Sequence, residues 1–62
     1  MYQVIYKDGL ESCVIDLPTK QAANNEVIEM ATELNLTIGY DADGFAWASD
    51  DKTQEIFIFQ II

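Results

Sequence analysis

The sequence contains no histidine and no arginine, and only three lysines among its 62 residues. The missing histidine removes the side chain most often used for general acid–base work near neutrality. The missing arginine, with so few lysines, removes the cationic track that would neutralise a nucleic-acid backbone, so direct nucleic-acid binding is excluded. Cysteine occurs once, at Cys13, which rules out an internal disulfide and with it a disulfide-stapled secreted scaffold. With neither histidine nor arginine to hold it as a thiolate, Cys13 reads as an inward-facing strand residue, not a nucleophile. No apolar run approaches the roughly 20 residues that cross a bilayer, and no basic stretch leads an apolar one near Met1. The expected location is therefore the cytoplasm, without a membrane partner.

Acid is what the sequence has in excess. Eleven carboxylates against three lysines give a formal charge of -8 and a pI near 4.1. Such a surface repels polyanions and favours encounter with basic proteins, including those that bind nucleic acid. Half the residues are hydrophobic, and the abundance of Ile, Val, Phe and Tyr argues against disorder, because disordered chains combine high charge with few such residues. A chain of this length forms one domain, residues 1–62, close to the size at which a single core can still outweigh chain entropy.

The residue pattern predicts an α+β fold of order ββαβββ. Tyr2 to Tyr6 alternates, with Tyr2, Val4 and Tyr6 on one face and Gln3 and Ile5 on the other. Asp8-Gly9 suits a type I′ hairpin turn, which would pair Tyr6 with Glu11, Val4 with Cys13 and Tyr2 with Ile15. Pro18 ends that hairpin, and Thr19 is placed to cap a helix running to about Leu34. Ala23, Val27, Met30, Ala31 and Leu34 form its buried stripe, Asn24-Asn25 is a poor helical pair, and Asn35 suits the left-handed residue that ends a helix, with Leu36 folding back on the last turn.

Three strands follow at Leu36 to Tyr40, Phe45 to Ser49 and Glu55 to Ile62, joined by short loops at Asp41 to Gly44 and Asp50 to Thr53. The expectation is a single antiparallel or mixed five-stranded sheet with one helix packed on one face. In the last strand Ile56 and Ile58 lie on one side and Phe57, Phe59 and Ile61 on the other. A two-sided apolar pattern marks a central strand, and its second face needs either cover from long side chains or another chain.

Few constellations point to chemistry. Asp41-Ala42-Asp43-Gly44 follows the opening of a calcium loop, but the later ligands such a loop requires are missing. A hairpin turn built from turn-forming residues accounts for it better, and weak divalent binding by Asp41, Asp43, Asp50 and Asp51 would require the two loops to converge. Tyr2, Tyr6, Tyr40 and Trp47 lack the basic neighbours that nucleic-acid stacking needs, and so read as core residues or interface anchors. No metal or cofactor site is expected, and no catalysis.

The outer helix face carries Glu26, Glu29 and Glu33 at spacings of three and four with no lysine between them. One helical turn sets such residues roughly 5 to 6 Å apart, comparable to the charge spacing along a nucleic-acid strand. Together with Asp41, Asp43, Asp50 and Asp51 they form the candidate partner-binding surface. The leading expectation is a protein-interaction domain that docks on a basic site of a larger protein, a nucleic-acid-binding protein being one such partner. In its most specific form it is an inhibitor encoded by a phage or mobile element, acting as a nucleic-acid mimic. The alternative is a small structural or regulatory subunit that self-associates, as a homodimer for instance, through the apolar strand ending in Phe57, Phe59, Ile61 and Ile62.

Overall fold

The computed structural model describes residues 1–61 and has the expected order, β1 (Tyr2–Asp8), β2 (Glu11–Leu17), α1 (Lys20–Leu34), β3 (Thr37–Tyr40), β4 (Ala46–Ser49) and β5 (Gln54–Gln60). All four strand pairings are antiparallel. They make one five-stranded sheet of order β2-β1-β5-β4-β3, with β5 in the middle. The expectation for Ile62 lies outside the described residues.

Helix α1 is bounded by the two caps that its flanking residues imply. Thr19 sits in extended geometry, and its hydroxyl accepts from the Ala22 N–H at 3.1 Å. At the other end Asn35 adopts φ 60 and ψ 45. The Leu36 N–H donates to the Ala31 carbonyl at 2.8 Å and the Asn35 N–H to Thr32 at 3.4 Å. This is the paired Schellman arrangement, which satisfies carbonyls that the helix end would otherwise leave open.

The core is formed where α1 crosses the sheet. Ala23, Val27 and Ala31 on the helix meet Val4, Ala46, Ala48 and Ile56 on the strands, with Leu36 closing one end. Alanines at Ala23, Ala31, Ala46 and Ala48 let helix and sheet approach closely, and α1 lies chiefly over β4. Tyr2, Tyr6, Ile15, Leu17, Met30 and Ile58 pack around this centre. Leu34 departs from the expected stripe and is exposed, because the chain reverses at Asn35 and Leu36 takes the buried place.

The first hairpin differs from the expected register by two residues. Its pairs are Tyr6↔Cys13, Val4↔Ile15 and Tyr2↔Leu17, closing at Asp8↔Glu11. The two-residue loop is therefore Gly9-Leu10, not Asp8-Gly9. Gly9 has φ 64 while Leu10 keeps a negative φ, and a positive φ at the first central position alone is the type II′ pattern. A glycine adopts that φ without steric cost, whereas a type I′ turn would force Asp8 to positive φ as well. The shift leaves the same residues on the same face, since side chains alternate with a period of two. It does move Cys13 toward the hairpin tip on the edge strand β2, where it is exposed, contrary to the inward position expected for it.

The two loops flanking β4 share one construction. Asp41 Oδ1 accepts the N–H groups of Asp43 and Phe45, both at 2.9 Å, and the Asp41 N–H donates to the Phe45 carbonyl at 3.0 Å. Asp50 Oδ1 likewise accepts from Lys52 at 2.9 Å and Gln54 at 3.3 Å, with the Asp50 N–H donating to Gln54 at 3.2 Å. In each case one carboxylate replaces the partners that the turn's own backbone cannot supply. Asp41→Ala is expected to cost about 1–2 kcal/mol in a urea melt, and Asp41→Asn, which keeps an accepting oxygen, less than half of that.

Candidate interaction surfaces

The seven acidic residues singled out by the sequence fall into three groups. Glu26, Glu29 and Glu33 share the outer flank of α1, with Glu26 partly buried and the other two exposed. Asp41 and Asp43 stand at the start of β4 and Asp50 and Asp51 at its end. The two loops therefore lie at opposite ends of the strand, separated by on the order of 13 Å of chain, and the convergence that weak divalent binding would require does not occur. Among the described residues no group of three or more potential metal ligands comes together.

The structure adds Asp8 and Glu11 to the second loop. The Gly9 N–H donates to the Thr53 carbonyl at 3.5 Å, so the tip of the first hairpin lies against the β4–β5 loop. Asp8, Glu11, Asp50 and Asp51 thus gather at one end of the sheet with Lys52. Tyr6 registers this environment. Its phenol is held above the ordinary value of 10.0, first by burial and then by the charge of Asp8, with Asp50 adding to it and a hydrogen bond from Gln54 opposing it. A raised phenol pKa means that stability is fully present below pH 10 and declines as pH rises through the folded-state value. Sequence reasoning passed over Asp8 and Glu11, because only the hairpin register and the sheet order bring them beside Asp50.

At the opposite end the charge is partly offset. The Lys20 ammonium donates to the Asp43 carbonyl and sits 4.9 Å from the centre of the Phe45 ring. The three acidic groups are spread over a body of 30 × 21 × 19 Å. At physiological salt charges communicate over about 8 Å, so each group acts on a partner locally and the end carrying Asp41 and Asp43 is independent of the end carrying Asp50 and Asp51.

The charges on α1 are set against its own stability. Glu29 has like-charged neighbours at Glu26 and Glu33, the last turn contains no basic residue, and the first turn contains no acid. Glu33 thereby faces the negative end of the helix dipole. Glu29→Gln removes both repulsive pairs and is expected to stabilise the domain by about 0.5–1 kcal/mol, a rise of roughly 2–8 °C in Tm at low salt. A thermal melt that does not move would show that these carboxylates do not interact.

A second surface is apolar. One face of the sheet is covered by α1, and the other carries Val14, Ile5 and Phe57, directly opposite one another across β2, β1 and β5. Phe59 follows on β5 and Trp47 on β4. Val14 is 54 % exposed, Phe59 56 % and Trp47 38 %. Of the aromatics read as core residues or anchors, Tyr2 and Tyr6 pack on the core, while Tyr40 and Trp47 are exposed. The central position of β5 agrees with its two-sided apolar pattern, and part of its second face is shielded by Lys7, whose ammonium lies 5.5 Å from the centre of the Phe57 ring.

Asn24, which sequence reasoning took for a weak point of the helix, is a connector. Its Nδ2 donates to the Gly44 carbonyl at 3.1 Å and its Oδ1 accepts from the Ala46 N–H at 2.9 Å. The first turns of α1 are thereby fixed to the loop that carries Asp41 and Asp43.

The fold and surfaces define a small single-sheet α+β domain. No protein-family model matches the chain, nor does any curated protein or solved structure at a significant level. Among the described residues no helix is long and apolar enough to cross a membrane.

Proposed function

We propose that this protein is a non-enzymatic interaction domain of the cytoplasm whose acidic surface binds a basic site on a larger protein. The observation that carries the reading is the excess of eleven carboxylates over three lysines on a body of only 30 × 21 × 19 Å. Lysines could neutralise at most three carboxylates, and two lysine ammonium groups are instead placed over aromatic rings. The glutamate row on α1 supports the same reading, because it persists at a cost to the helix. The partner-facing residues are Glu26, Glu29 and Glu33 on the helix, with Asp50 and Asp51 at one end of the sheet and Asp41 and Asp43 at the other.

In its most specific form the domain is a nucleic-acid mimic that occupies the basic site of a nucleic-acid-binding protein, an inhibitor of the kind a phage or mobile element encodes. The spacing of the helical carboxylates favours this form. Self-association through the apolar face of β5 is a second reading, favoured by the exposure of Phe59 and Trp47. Two copies each carrying a charge of -8 repel at low salt, so sedimentation at micromolar concentration should find a monomer below about 0.1 M salt. A dimer under those conditions would favour the second reading.

The test uses two immobilised baits, the native protein and a Glu26→Gln, Glu29→Gln, Glu33→Gln variant. The native bait should retain basic, nucleic-acid-binding proteins from lysate, and the neutralised bait at least about fivefold less of the same proteins. Equal retention by both baits would remove the helix from the interface, and retention of no basic protein by either would end the proposal.

A further inference from the structure

We infer that the cleft between Trp47 and Phe57, on the sheet face that α1 leaves uncovered, is the anchor point for an arginine side chain of the cationic partner. The inference rests on the reading of the domain as an acidic interaction module and assigns one contact within it.

The cleft arises from the sheet itself. β4 and β5 pair only through Ala48↔Ile56 and Ser49↔Glu55. Around these pairs a space of about 240 Å³ opens, lined by Trp47, Ser49, Glu55 and Phe57 with Ala48 and Ile56 between them. Small-molecule sites commonly enclose about 300–1,000 Å³, so this volume suits one long side chain. Trp47, Ser49, Glu55 and Phe57 alternate with Ala48 and Ile56, whose side chains join the core under α1, so all four point to the uncovered face.

The lining chemistry selects a planar cation. Aromatic rings attract a cation over their faces, tryptophan most strongly, and a guanidinium also stacks on them. Glu55 lines the same cleft and supplies a carboxylate able to receive the guanidinium fork. The protein already shows that this surface accepts a cation. Lys7 stands directly across from Glu55 in the ladder, yet its ammonium is placed over the Phe57 ring.

The indole is held where it can serve as a wall. Trp47 pairs with Gly39, and a Cβ at that glycine would lie 2.6 Å from Cε2 and 2.8 Å from Cη2 of the ring. The ring therefore extends over β3, occupying the space that any larger residue at position 39 would need, and leaves the cleft beside Phe57 open. Around it the row of Val14, Ile5 and Phe57 offers apolar surface to residues flanking the arginine.

The chain has one tryptophan, so a single indole N–H resonance reports the cleft. The probe is a hexa-arginine peptide, titrated into ¹⁵N-labelled protein at about 0.05 M salt. The Trp47 indole and the amides of Glu55 and Phe57 should shift along one saturating curve, and a hexa-lysine peptide should bind about threefold to tenfold more weakly. Glu55→Gln should weaken hexa-arginine binding about fivefold, whereas Asp16→Asn, on the edge strand β2 opposite Gln3, should change it less than twofold. Saturable binding that leaves the indole unmoved and is insensitive to Glu55→Gln would overturn the cleft assignment and leave the acidic-module reading standing. Absence of binding by either peptide would overturn both. An indole shift that follows protein concentration without peptide would show the cleft to be filled by a second copy of the chain, and would overturn it as well.

Discussion

Ile56→Ala is expected to remove about 2–5 kcal/mol of stability, the larger part of what so small a domain holds. Ile56 is the largest fully buried side chain, 1 % exposed, and it lies on the middle strand β5. It pairs with Tyr6 on one side and Ala48 on the other and meets α1 above. Truncation loses the transfer free energy of the removed carbons, and the cavity left in a close-packed core adds to that loss. Relaxation into the cavity is limited here, because the surrounding alanines have no side-chain length with which to fill it. A domain of this size carries only about 3–5 kcal/mol from a single core. Ile56→Val removes one methylene and should cost about 0.5–1.5 kcal/mol. Urea denaturation followed by far-ultraviolet circular dichroism measures both, and a loss below about 1 kcal/mol for the alanine variant would mean that the core is not centred on β5.

Asn24→Ala should cost about 1.5–3 kcal/mol, although alanine is the better helix former by up to about 0.7 kcal/mol. The Ala46 N–H that Asn24 Oδ1 accepts belongs to a residue only 1 % exposed. Without that oxygen the N–H is left buried and unpaired, which costs about 1–3 kcal/mol, and the bond from Nδ2 to the Gly44 carbonyl is lost as well. Asn24→Asp separates the two contributions. The aspartate still accepts from Ala46 but sets a second oxygen against the Gly44 carbonyl, so it too should destabilise. Amide hydrogen exchange gives a local readout. Protection at Ala46 should fall in the alanine variant by more than the global loss of stability accounts for, and an unchanged exchange rate there would show that Asn24 does not bridge helix and loop.

The parts of the fold legible in the sequence are those fixed by local chemistry. Thr19 and Asn35 cap α1 because their side chains and backbone preferences act within four residues of the helix ends. The two-sided pattern of Ile56, Phe57, Ile58 and Phe59 left two outcomes, a middle strand or a second face covered by another chain, and the strand order puts β5 in the middle. The hairpin register was not legible, because Asp8-Gly9 and Gly9-Leu10 turns present the same apolar face and differ only in which residue takes a positive φ. That slip of two residues also misplaced Cys13. Asn24 was misjudged for a different reason. Its value comes from backbone groups 20 and 22 residues away, and no helical propensity contains that information.

The candidate surface was legible only in part. The helical glutamates share a flank because the spacing of three and four dictates it. The placement of the loop aspartates depends on the alternation of strand direction around β4, which sends Asp41 and Asp43 to one end and Asp50 and Asp51 to the other. Asp41 and Asp50 also spend an oxygen on their own turns, so Asp43 and Asp51 are the loop carboxylates free of that task. The apolar row on the uncovered face needs the strand order β2-β1-β5-β4-β3, which brings Val14, Ile5 and Phe57 together from distant parts of the chain.

The attraction of this acidic domain for a cationic protein is tested most directly by its dependence on ionic strength. The dissociation constant for a captured basic partner should rise by at least about 30-fold between 0.05 and 0.5 M salt, because an interface governed by exposed charge weakens as screening shortens its reach. A dissociation constant that stays level across that range would mean that charge does not hold the complex together, and the function proposed for this protein would be wrong.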